Sequence, residues 1–75
     1  LPSTQRTFIA VHYSEEGVPL GIKSKIRSGN RDEAIGKIEL ITRGTVTLKA
    51  KHFAVISYKK SPKVSYRAIL CEHNG

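Results

Sequence analysis

From Leu20 to Arg27 the chain alternates. Leu20, Ile22, Ser24 and Ile26 fall on one side, and Gly21, Lys23, Lys25 and Arg27 on the other. A period of two residues is the geometry of a β-strand with one face buried and one face wet. The pattern returns twice. Val46, Leu48 and Ala50 alternate with Thr47, Lys49 and Lys51; Val64, Tyr66, Ala68 and Leu70 alternate with Lys63, Ser65, Arg67 and Ile69. Strands of this kind need a common apolar layer on one side and leave their basic side in water. The first two also echo each other (LGIKSK and VTLKAK), as two basic amphipathic strands do.

The remaining segments fit around these strands. Arg6 to Tyr13 is rich in β-branched and aromatic residues, and Ser14 to Pro19 is a polar turn, so the first two strands form a hairpin. Phe53 to Tyr58 is continuously apolar, which predicts a central strand covered on both faces. Lys59-Lys60-Ser61-Pro62 is a turn, and the end of the chain from Cys71 is polar.

Between Arg31 and Arg43 the period changes. Asn30 is placed as an N-cap with Glu33 three residues later, a capping-box arrangement. Asp32 and Glu33 in the first turn and Arg43 near the last suit the helix dipole. Gly44 stands where a C′ glycine belongs. Ala34, Ile35, Ile38, Ile41 and Thr42 share a face at helical spacing. Gly36 in the interior and Leu40 off that face count against a helix, but a strand would expose Ile41 instead. The fold expected is a small α+β domain: an antiparallel sheet of four or five strands with one helix, about 31–42, on its apolar face. An all-β small barrel is the alternative. A single basic domain covers 1–75, with 1–5 and 72–75 frayed.

Composition narrows the function. The chain has 75 residues, thirteen Lys and Arg against six Asp and Glu, and a net charge of +7. That length holds one small core and excludes a multidomain enzyme. The single cysteine, Cys71, excludes an internal disulfide and points to a reducing intracellular compartment: cytoplasm, nucleoid or nucleus. No signal peptide is visible, and without any Met, Leu1 reads as a trimmed or processed end. No apolar run is long enough for a membrane span, and Lys59, Lys60 and Lys63 are too sparse for a polybasic membrane patch.

The charge is also segregated. Acids are absent from Gly17 to Arg31 and from Leu40 to Cys71, which together hold eleven basic residues. Alternation puts Lys23, Lys25 and Arg27 on the outer face of one strand, Lys49 and Lys51 on that of a second, and Lys63 and Arg67 on that of a third. A shared sheet would display a basic plate of these seven cations. Ordinary solvated strands mix signs, whereas unrelieved like charge calls for a counter-charge. The expected function is therefore non-catalytic nucleic-acid binding. Phe8 and Phe53 belong with the core, and Tyr13 and Tyr58 at strand ends, with His52, are the only stacking candidates. That is thin for single strands, so duplex DNA is favoured over RNA. Lys59 and Lys60 join the candidate site, and Arg27 and Arg67 have the reach for guanine.

Two alternatives stand beside this reading. One is a protein-interaction or inhibitor module, docking on an acidic partner, extending a sheet edge or assembling with its own copies. The other is a small ribonuclease toxin using His52 with Arg67, Tyr58 and a glutamate from Glu15-Glu16. No cofactor is expected. His12, His52, His73 and Cys71 lack the spacing of a closed zinc site and read as solvated histidines and an inert thiol.

Overall fold

The computed structural model describes residues 4–74. Its elements follow in the order β1 (Arg6–Ser14), β2 (Pro19–Ser28), α1 (Arg31–Thr42), β3 (Thr45–Lys49), β4 (Ala54–Ser61) and β5 (Val64–Glu72). The strands form one sheet in the order β2-β1-β5-β4-β3, and all neighbours are antiparallel. This is a small α+β fold. The sheet is open, with β2 and β3 as its edges, so the barrel alternative does not apply.

The helix begins as its capping chemistry predicts. The Asn30 side chain accepts from the Glu33 amide at 2.8 Å. Ala34, Ile35 and Ile38 bury one face of α1 against Phe8, Ala10, Ile26, Ala54, Ile56, Ala68 and Leu70 of the sheet. The even-numbered residues of β1, β2, β4 and β5 supply that layer. Leu40 is off the packed face, as its spacing requires, and is 82% exposed.

The other end of the helix differs from expectation. Arg43, not Gly44, takes the left-handed position at φ 58°, and its N–H donates to the Glu39 carbonyl. Gly44 serves a different need. A Cβ there would lie 2.5 Å from the Ser57 carbonyl oxygen and 2.7 Å from Tyr58 Cβ, so the chain passes β4 too closely for a side chain. Ile41 is not a core residue: it is 66% exposed, because α1 overhangs the β2 edge there.

Three further expectations are corrected. β4 is not covered on both faces, since only one layer packs on the sheet and Val55 stays half-buried on the open side. Phe53 is exposed just before β4 instead of sitting in the core. β5 continues through Cys71, which is exposed, to Glu72. Glu72 accepts from Arg6 at 3.0 Å and the His73 amide donates to the Thr7 carbonyl, so pairing extends into the segment expected to fray. Residues 1–3 and 75 lie outside the described residues.

Candidate nucleic-acid interface

Directly paired residues of an antiparallel sheet project to the same side. The row Lys23–Val11–Ile69–Val55–Leu48 crosses all five strands on the side away from α1. Alongside it Lys25 pairs with Ile9, and Arg27 with Thr7. Arg67 joins this open face opposite Tyr13 and Ser57. Lys23, Lys25, Arg27 and Arg67 are all exposed. None has an acidic partner among the described residues. Alternate residues of a strand are about 6.6 Å apart, so Lys23, Lys25 and Arg27 form a straight file along the β2 edge. Arg67 is held at the opposite end by donating to the Glu15 carbonyl at 2.9 Å.

Lys49 does not belong to this face. Its partner in β4 is Ala54, which packs beneath α1, and its Nζ lies 2.8 Å from Asp32 Oδ1 on the helix. The cause is a β-bulge between Val46 and Leu48. One extra residue reverses the facing of everything after it. Thr47 fills the bulge and its hydroxyl lies 3.2 Å from Ser57 Oγ. Leu48 is thereby turned to the open face and Lys49 to the helix. The Lys49 ammonium, by hydrogen bond and by charge, holds the Asp32 carboxyl below its ordinary range.

The other predicted cations are dispersed. Lys51 lies in the β3–β4 connection, where it borders a cleft with His52, Phe53 and Arg31; the Arg31 guanidinium donates to the Ala50 and Lys51 carbonyls. Lys63 occupies the turn between β4 and β5, and Lys59 and Lys60 end β4 beside a second irregularity. These three lysines form a basic hairpin tip, separate from the β2 file. The plate of seven thus becomes a file of three with Arg67, beside an aliphatic row. Its lack of acids persists: Glu15 and Glu16 lie beyond the face in the β1–β2 turn, and Asp32, Glu33 and Glu39 lie on α1.

Tyr58 is on the helix side, away from this surface. Its Oη lies 2.6 Å from His12 Nδ1, and His12 Nε2 lies 2.8 Å from Ser24 Oγ. The rings of His12 and Tyr58, and of Tyr58 and Tyr66, meet edge-on with centroids 5.7 Å apart. His12 is 5% exposed, not a solvated histidine. The sequence did carry a signal for this cluster: His12 and Ser24 are the polar residues within otherwise apolar strand faces. His52 and Tyr58 border different clefts, so the residues considered for a ribonuclease site are not brought together. Among the described residues no three His, Cys, Asp or Glu gather as metal ligands. None of the described helices is long and apolar enough to cross a membrane.

Compared with known protein families, curated proteins and solved structures, the chain matches none.

Burial has a measurable consequence at His12. Desolvation pushes its pKa below the ordinary 6.5, so the unfolded chain binds the proton more readily than the folded one. The stability contributed by neutral His12 is complete above about pH 6.5 and declines as pH falls through that value toward the folded pKa. Thermal unfolding should therefore show a lower Tm at pH 5.5 than at pH 7.5, and His12→Gln should flatten that difference.

Proposed function

We propose that this is a non-catalytic, intracellular nucleic-acid-binding domain that takes duplex DNA on the open face of its sheet. The observation that carries the reading is the file of Lys23, Lys25 and Arg27, exposed on one face with Arg67 and unpaired with any acid among the described residues. Regularly spaced cations of this kind meet phosphates and release their counterions. The Lys59-Lys60-Lys63 tip adds a second basic contact beyond the end of the sheet.

The aliphatic row favours a duplex over a single strand. Single strands are held largely by stacking on aromatic rings. Tyr13 is the only aromatic residue that the paired strands place on the open face. Val11, Ile69, Val55 and Leu48 instead offer low aliphatic contact of the kind that meets sugars or thymine methyls. Most of the cations would contact phosphate, which positions a duplex without reading its sequence.

A titration of a short fluorescent duplex, repeated across salt concentrations, tests this directly. Four phosphate contacts give a log–log slope of about −3.6. Absence of binding at about 50 mM salt, where this electrostatic term is strong, would refute the proposal.

The same aliphatic row supports a second reading, a protein partner with an acidic rim around an apolar centre. Capture of such a partner with no salt-sensitive duplex binding would select it.

A further inference from the structure

The helix is shorter than the sheet it covers. Twelve residues of α1 span about 18 Å, whereas the nine residues of β1 span about 30 Å. The uncovered end of the helix-side face forms a cleft of about 660 Å³ between the C-terminal end of α1, the β2 edge and the β4–β5 hairpin. Nothing in the open-face reading uses it.

Its composition is that of a binding site more than of a solvated surface. Leu20, Ile22 and Ile41 give it apolar walls, and His12, Ser24 and Tyr58 a hydroxyl-rich floor. His12 spends both ring nitrogens on Ser24 and Tyr58. Each hydroxyl has more hydrogen-bonding capacity than that one contact uses. Ser24 and Tyr58 are only half-buried, so a ligand can reach them. Arg43, Lys59 and Lys60 border the cleft, and no acid lines it.

Arg43 supplies an independent observation. It is the only non-glycine residue with positive φ among the described residues. Glycine is the usual occupant of such a helix end, and any other L residue there carries strain. Strained backbone concentrates at ligand sites, where the side chain is what the position needs. Here the strained residue is the cation at the cleft.

We propose that this cleft binds a nucleotide: a planar ring between the apolar walls, its polar edge on the Ser24 and Tyr58 hydroxyls, and its phosphate on Arg43 and the Lys59-Lys60 segment. The volume falls within the range of small-molecule sites. A free mononucleotide and the phosphorylated end of a strand share this chemistry.

The test is calorimetry and amide NMR on the whole chain with AMP, adenosine and inorganic phosphate. AMP should bind saturably and shift the amides of Ser24, Arg43 and Tyr58. Adenosine and phosphate should each bind at least about tenfold more weakly, because each lacks half of the recognised chemistry. A 5′-phosphorylated trinucleotide binding more tightly than AMP assigns the site to strand ends, and weaker binding assigns it to free nucleotides. Arg43→Gly relieves the strained backbone while removing the cation, so Tm should hold or rise while AMP affinity falls about tenfold. No saturable AMP binding up to millimolar concentration, equal affinity for phosphate alone, or unchanged affinity in Arg43→Gly would overturn the proposal. Lys25→Gln lies on the opposite face and should leave AMP binding intact, so failure here is separable from failure of duplex binding.

Discussion

Gly44→Ala is expected to destabilise the protein by about 3 kcal/mol or more, at the upper end of overpacking effects. The methyl group has nowhere to go. It would meet the Ser57 carbonyl oxygen at 2.5 Å, Tyr58 Cβ at 2.7 Å and Thr42 Oγ1 at 3.0 Å. Two of these atoms belong to β4 backbone or sit directly on it, so relief requires moving the strand away from the helix end. A domain of this size has roughly 4–11 kcal/mol of total stability, and a loss of this size lowers the denaturation midpoint sharply. Gly36→Ala is the control. Gly36 lies inside α1 with no atom within 4 Å of the added Cβ. The same substitution there should stabilise by about 1 kcal/mol through helix propensity alone. Urea denaturation of the two variants should therefore move in opposite directions.

The largest expected effect on binding comes from removing the β2 file. Changing Lys23, Lys25 and Arg27 together to Gln should weaken duplex binding roughly 100-fold, with each charge-assisted contact contributing somewhat over 1 kcal/mol. The salt slope should fall to about −0.9, that of one remaining contact. A charge-matched control removes Arg6, Lys37 and Lys49 in the same way. These three are already paired with Glu72, Glu33 and Asp32. Both triple variants lose the same net charge, so a response to total charge alone would weaken them equally. Local contact at the open face leaves the control within a few-fold of the parent.

The comparison of LGIKSK with VTLKAK shows how far the sequence could be read. Both segments form strands, and in β2 the alternation assigns every residue to its correct face. In β3 the same alternation misplaces Leu48 and Lys49. The inserted residue at Thr47 arises from pairing with β4 and from the attraction between Lys49 and Asp32 on the helix. Neither contact is local, so strand periodicity carries no trace of either. The helix start was legible because Asn30 and Glu33 are three residues apart and act locally. The helix end was not, because Gly44 is required by the close approach of β4, leaving the left-handed turn to Arg43. The His12 cluster joins residues from β1, β2 and β4, and only the fold brings them together.

The face that meets nucleic acid can be read residue by residue. In an amide ¹H–¹⁵N NMR titration with a short duplex, the largest shifts should fall on Lys23, Lys25 and Arg27, on Val11 and Ile69 beside them, and on Arg67. The amides of Ala34 to Ile41 on the far side of the sheet should stay in place. Shifts concentrated on α1, or no shifts under low-salt conditions, would contradict binding through the open face.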